Sequence, residues 1–272
     1  MPGNFSKGLV LVGCGRMGGA LLKGCLDQAV VAATDVTVIE PNEAARAEAA
    51  QLGVRVAAGA DSIAVAPDCL LIAVKPQALD AVLPDYQSFV GDSVFLSIAA
   101  GRTTGSFVRG LGDAAAVIRA MPNTPAQVGR GITALYANAR VSAEQKAQAD
   151  ALMGAVGDVV WLEDEAQMDA VTAVSGSGPA YVFHMIEALA AAARAAGLSG
   201  PMAERLARAT VTGAAELAYR SDEPAEALRR QVTSPGGTTE AALKVLMADK
   251  GLSELMTRVV KAAADRSREL AG

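Results

Sequence analysis

Short apolar runs alternate with amphipathic segments of helical period through the first half of this chain, and that alternation restricts the fold more than any other feature. Gly8–Gly13 (GLVLVG), Val36–Glu40, Cys69–Val74 (CLLIAV), Ser93–Ala99 (SVFLSIA) and Ala115–Ala120 read as buried strands bounded by Gly, Pro or Asp. Helical patterns such as Met17–Gln28 and Glu43–Leu52 lie between them. Strand–helix–strand alternation at this spacing implies parallel pairing with right-handed crossovers, hence a doubly wound sheet. Gly131–Ala137 and Asp158–Glu163 are expected to extend it at the far edge, separated by a helix over Ser142–Gly154.

After about Asp164 the strand signals stop. Helices are expected over Pro179–Ala196, Pro201–Tyr219, Pro224–Gln231, Thr238–Met247 and Ser253–Leu270, broken by Gly or Pro. The 179–196 segment is apolar or small nearly all round, so it must be buried on every side. A homodimer with interlocking helices is the simplest way to achieve that; burial between two domains of one chain is the alternative. Aromatics make up only 4% of the 272 residues, so the core must be built from Ala, Val and Leu. The net charge of −5, with no Lys/Arg cluster, argues against a nucleic-acid partner. Cys14, Cys25 and Cys69 show neither metal-ligand spacing nor a disulfide framework, which fits a reducing compartment. No apolar run reaches membrane-spanning length and no signal peptide is evident. The expectation is a cytoplasmic protein with no membrane contact and no metal.

Gly13-Cys14-Gly15-Arg16-Met17-Gly18 is GxGxxG, set between the first strand and the first helix. In that context the glycines make the turn, admit a pyrophosphate to the backbone, and let helix pack on strand. The fold class is therefore α/β: a Rossmann-like doubly wound sheet over residues 1–164, followed by an all-helical domain over 165–272. Glu40 closes the second strand, where an acid can hold ribose hydroxyls and repel a 2′-phosphate. It tilts the choice between NADH and NADPH towards NADH, a preference Arg16 and Arg46 could soften. Ala73-Val74-Lys75-Pro76, Ser97–Gly101 and Arg119–Pro125 follow later strands, at the edge where open parallel sheets hold ligands.

Gln231–Leu243 (QVTSPGGTTEAAL) sets Ser, Pro, two glycines and two threonines ahead of a helical pattern. That composition suits either a capped helix or a small-anion site built from free N–H groups and hydroxyls. His184, the lone histidine, sits inside an apolar helix and reads as packed or hydrogen-bonded, not catalytic.

GCGRMG, AVKPQ, SIAAG, RAMPNTPAQVGRG, DAVTAVSGSGPAYVF, ARATVTGAAEL and QVTSPGGTTEAAL, in this order, resemble the pyrroline-5-carboxylate reductase family. GxGxxG and AVKP are shared with other dehydrogenases; MPNTP, SGSGPAY and SPGGTT at these separations are specific. The resemblance implies reduction of 1-pyrroline-5-carboxylate to L-proline with NADH or NADPH, the last step of proline biosynthesis. It implies that Val12, Gly13, Cys14, Gly15, Arg16, Met17 and Gly18 cradle the pyrophosphate and that Glu40 meets the adenosine end. Ala73, Val74, Lys75 and Pro76, with Ala99, Ala100, Gly101 and Asn123, would flank the nicotinamide half. Ser234, Gly237, Thr238 and Thr239 would bind the substrate, with Thr239 at the ring nitrogen as the catalytic hydroxyl and Glu165 near the pocket. It further implies an intertwined homodimer that assembles into a decamer. Glu40 stands where the family often has Ser or Thr, and Ala60 where it commonly has Asn, and both weaken the case for NADPH. An imine also explains the missing catalytic histidine: once its nitrogen is protonated, its carbon accepts hydride without a base. A six-membered cyclic imino acid remains an admissible substrate. The SGSGPAY segment (Ser175–Tyr181) could line the pocket, but starting the long helix is its favoured role.

Overall fold

The computed structural model describes residues 5–271, with side chains through 270. The chain forms two units: one runs to Gly176 and takes in the chain again from Ala264, and the other is Ser177–Ala263.

The first unit opens with β1 (Leu9–Val12), α1 (Arg16–Asp27), β2 (Val36–Ile39), α2 (Glu43–Ala50), β3 (Arg55–Ala57) and β4 (Cys69–Ile72). Then come α3 (Leu79–Val82), β5 (Val94–Ser97), α4 (Thr104–Leu111), β6 (Ala116–Met121), β7 (Gly131–Ala137), α5 (Ala143–Gly154), β8 (Gly157–Trp161) and α6 (Met168–Val171). The eight strands form one sheet in the order β3-β2-β1-β4-β5-β6-β7-β8, so the chain reverses direction of growth between β1 and β4. Pairing is parallel throughout except between β6 and β7. The connection between those two holds only a 3₁₀ turn at Thr124–Val128, too short for the crossover a parallel neighbour needs.

The central strands β1 and β4 are continuously apolar, and β5 nearly so, because both sheet faces are covered there. Leu9, Leu11, Leu71, Leu96 and Ile118 enter one core with Leu21, Leu22 and Leu152. Val10, Val12, Leu70, Ile72, Phe95 and Val117 enter the other with Leu79, Leu83 and Phe107. Helix starts are fixed by side-chain caps: Asn42 Oδ1 accepts from Ala45 N at 3.0 Å, Thr103 Oγ1 from Ser106 N at 3.2 Å, and Ser142 with Gln145 makes a reciprocal capping box. β3 is the strand that no expected segment located; it is short, and its first residue, Arg55, is exposed at the sheet edge.

The second unit holds α7 (Gly178–Ala195), α8 (Gly200–Tyr219), α9 (Ala225–Gln231), α10 (Thr238–Leu246) and most of α11 (Leu252–Ala271). α7 packs on α8 through small side chains, with Ala190, Ala203 and Ala207 buried. Val182, Phe183, Met185 and Leu189 of α7 remain exposed, Phe183 by 61%. The expectation that this helix is buried on every side is not met within the single chain, where these side chains are exposed. The end of α11 belongs to the first unit, where Ser267 Oγ donates to Asp169 Oδ1 at 2.6 Å.

Candidate active site

Four loops gather at the carboxyl ends of the consecutive strands β1, β4, β5 and β6. Val12 ends β1, and Gly13 turns with φ +88°, where a Cβ would press on Ala73 O at 3.0 Å. Its N–H donates to Ile39 O at 2.8 Å. At Gly18 a Cβ would sit 2.5 Å from Gly13 O, so only glycine lets α1 start this close to the strand. At Gly15 an added Cβ would meet nothing within 4 Å. The turn is thus closed on the protein side at Gly13 and Gly18 and open at Gly15, with Arg16 and Met17 beginning α1 behind it. That is the shape a pyrophosphate on a helix N-terminus requires, so these residues fit a dinucleotide.

Glu40 directly follows β2 and turns its carboxylate onto this loop. Oε2 accepts from Cys14 N at 2.8 Å and Oε1 from Asn42 N at 2.9 Å. Arg46 is committed to the same corner, donating from Nη1 to Glu40 O at 2.8 Å and Pro41 O at 2.7 Å. The Cys14 thiol is raised above its ordinary pKa, mainly by burial and further by Glu40 and Glu48, which keeps it protonated.

Ala73 follows β4 and donates to Val12 O at 2.8 Å; Val74 and Lys75 lead into a 3₁₀ turn opened by Pro76. After β5, Ala99 N donates to Ser97 Oγ at 3.2 Å, Ala100 follows, and Gly101 takes φ +72° with Leu270 O packed 3.4 Å from where a Cβ would lie. Asn123, beyond β6, turns its side chain inward: Nδ2 donates to Ser175 O at 3.2 Å and Oδ1 accepts from Ile132 N at 3.0 Å. It thereby ties the MPNTP loop to a π-helical turn at Thr172–Gly176, the turn that leads into α7. Pro179 lies in the first turn of α7. Met121 closes on the same turn, since a Cβ at Gly176 would meet its Cε at 2.6 Å.

Glu165 opens the 3₁₀ turn Glu165–Gln167 and bonds within the first unit through both carboxylate oxygens. Oε1 accepts from Thr104 N at 2.8 Å, Oε2 from Thr104 Oγ1 at 2.7 Å, and Arg119 Nη1 lies 3.3 Å from Oε1. Sequence reading overlooked both partners. The available signal was Arg119 itself, a charged residue inside an apolar strand and only 4% exposed.

The second unit carries the other loop. Gly236 takes φ +71°, Gly237 caps α10, and Gly237 N donates to Ser234 O at 3.0 Å. Thr238 and Thr239 form the first turn of α10, whose leading N–H groups have no carbonyl of their own helix to bond. Glu240 reaches back to accept from Gly236 N and pairs with Lys244 at 3.2 Å. His184 is exposed and bonds Glu187 Oε2 at 2.9 Å. Among the described residues, no group of His, Cys, Asp and Glu could hold a metal ion, and no helix is long and apolar enough to cross a membrane.

Comparison with known proteins agrees with this geometry in both halves. Residues 165–270 match the pyrroline-5-carboxylate reductase dimerisation family, and residues 8–101 match a family described as NADP oxidoreductase, coenzyme F420-dependent. The pyrroline-5-carboxylate reductase of Pseudomonas aeruginosa is 45% identical over 267 residues, covering 97% of this chain and 96% of that one. The Coxiella burnetii pyrroline-5-carboxylate reductase structure superposes with a TM-score of 0.93 at 35% identity, over 98% of this chain and 99% of that one. A Plasmodium falciparum pyrroline carboxylate reductase structure with NADP bound gives 0.81 at 27% identity, covering 99% of each chain. A nucleotide-binding turn that fits its ligand, a loop of SPGGTT form and likeness along nearly the whole chain converge: this is an NAD(P)-dependent oxidoreductase, and it belongs to the pyrroline-5-carboxylate reductase family.

Proposed function

We propose that the chain reduces 1-pyrroline-5-carboxylate to L-proline and that Thr239 is its catalytic hydroxyl. The observation that carries the reading is the loop ahead of α10, where left-handed Gly236 and the capping Gly237 leave backbone N–H groups at a helix N-terminus. Such a terminus suits the substrate carboxylate through its donors and its dipole. Ser234 and the N–H of Thr238 hold that carboxylate, with Gly237, whose own N–H is bonded to Ser234 O, capping the helix beside it. Thr239, half-buried in the first turn, hydrogen-bonds the ring nitrogen and fixes the imine. A bound dihydronicotinamide supplies the hydride for the imine carbon, C5 in the numbering of proline. Ala73–Pro76 and Ala99–Gly101 shape its pocket, Val12–Gly18 hold the pyrophosphate, and Asn123 keeps the MPNTP loop in place. Orientation accounts for much of the acceleration, since the protonated imine already attracts hydride.

NADH is the preferred cofactor in this reading, because the Glu40 carboxylate stands on the loop where a 2′-phosphate would bring further negative charge. Residues 1–164 bind the dinucleotide and 165–272 dimerise and bind substrate. The enzyme is cytoplasmic, uses no metal, and its dimers assemble further into a decamer. The test is the oxidation of NADH and NADPH, separately, on adding 1-pyrroline-5-carboxylate. NADH is expected to give the higher kcat/KM, and Glu40→Ser to shift the ratio towards NADPH by about tenfold, roughly 1.4 kcal/mol. An unchanged ratio removes Glu40 from cofactor choice; no turnover with either cofactor removes the reductase reading.

A further inference from the structure

The family resemblance sets Glu165 near the substrate, yet its carboxylate is spent elsewhere. We propose that Glu165 is a positioning residue for the nicotinamide end of the cofactor site, acting through Thr104 and Arg119, and is not a ligand of the substrate. A carboxylate has about four acceptor positions, and three bonds here come from Thr104 N, Thr104 Oγ1 and Arg119 Nη1. Thr104 is the first residue of α4, so Glu165 satisfies one of that helix's leading N–H groups and sits at its positive end. The same helix start closes the loop that begins at Ala99. That loop is held at its other points by Ser97 Oγ, by the packing of Gly101 on Leu270 O, and by the pair of Arg102 with Asp80.

Arg119 gives the contact its second direction. It lies in β6 opposite Ser97 of β5 and Tyr136 of β7, and Met121 and Asn123 follow it. Its guanidinium is buried, so the charge must be compensated, and Glu165 is the carboxylate within reach. One side chain thus registers the loop after β5 against the loop after β6, the two segments proposed to flank the nicotinamide. A second carboxylate facing the substrate carboxylate would also oppose binding by charge, which the commitment of Glu165 to Arg119 avoids.

The inference rests on the proposed cofactor site, and its test is read on cofactor binding as well as turnover. The dissociation constant of NADH for the dimer without substrate, the separate KM values and the melting temperature are measured for Glu165→Gln, Thr104→Val and Thr104→Ser. Glu165→Gln is expected to raise the NADH dissociation constant and KM about tenfold, ~1.4 kcal/mol, and to leave the KM for 1-pyrroline-5-carboxylate within about twofold. Thr104→Val should move the same quantities less, and Thr104→Ser, which keeps the hydroxyl, should restore them. A purely structural role would lower the melting temperature and the active fraction while leaving the NADH dissociation constant unchanged, and so would overturn the proposal. A raised substrate KM with unchanged cofactor binding overturns it in favour of a substrate ligand. If Glu165→Gln does not fold, the Thr104 pair decides the question, since Val and Ser differ from Thr by a few atoms. Wild-type enzyme that binds NADH without turning over the imine would fail the reductase reading and leave the Glu165 test standing.

Discussion

Thr239 stands at the second position of α10, within the helix's first turn and its unpaired leading N–H groups. Removing one hydrogen-bonding group aimed at a reacting centre typically costs on the order of 10²–10³ in turnover. Thr239→Ala should lower kcat by that order with an unchanged melting temperature, while Thr239→Ser should keep most of it; near-normal turnover in the alanine variant would remove Thr239 from the mechanism. At this scale the sequence was most legible where backbone geometry dictates residue type. Gly13, Gly18 and Gly236 could be read as turn glycines, since a left-handed φ or a carbonyl within 2.5–3.0 Å excludes a side chain. Side-chain direction was not legible. Asn123 was expected at the cofactor, and what its amide does inside the protein, accepting from Ile132 N nine residues on and donating to Ser175 O fifty-two residues on, has no signal in its local sequence. Glu165 followed the same logic, because the Arg119 and Thr104 that capture it become neighbours only once β6 and α4 are assembled.

Elements with strong punctuation were recovered nearly to their ends: α8, α9 and α10 each begin at or next to a Pro or Gly and stop where the apolar pattern stops. β3 was not, for three residues at a sheet edge carry too little periodicity to be seen. The antiparallel turn of β7 follows from loop length, a tertiary constraint that no property of its own residues announces. The start of α10 has a pH dependence that its sequence also hints at, through the acid three residues after the capping glycine. Glu240 is held below the usual carboxylate range chiefly by the Gly236 N–H and secondarily by Lys244. Because the folded form favours the ionised group, the contribution is complete above the ordinary carboxylate value of 4.5 and is lost as pH falls through the lowered one. The amide resonance of Gly236 should therefore titrate below about pH 4.5 in the wild type and stay flat in Glu240→Gln. A flat wild-type trace would mean that the carboxylate does not hold the loop in solution.

Over the whole molecule, the two units solve different problems. The first sets two clusters of buried side chains on the sheet's two faces, whereas α7 leaves large apolar side chains exposed. Val182, Met185 and Leu189 are spaced i, i+3, i+7 and so share one stripe of α7, and Phe183, the most exposed of the four, widens the apolar surface about 100° further round the helix. Ala190 is the buried residue of that helix. An apolar surface of this extent is stable in water when a second copy covers it, and the match of residues 165–270 to a dimerisation family supports a dimer. A carboxylate set into this exposed apolar surface would have to be buried without a partner, which costs several kcal/mol per ion and acts twice across a two-fold interface. Phe183→Glu should accordingly shift the protein from dimer to monomer in sedimentation at micromolar concentration. The first unit should keep its cooperative melting and its NADH binding, because none of its core residues is touched. Imine reduction should fall with the dimer fraction if each site draws helices from two subunits, and should recover as protein concentration is raised. A dimer that persists unchanged in Phe183→Glu would mean that the partner covers another face of the helical unit. A monomer that retains full turnover would show that one chain supplies every catalytic group.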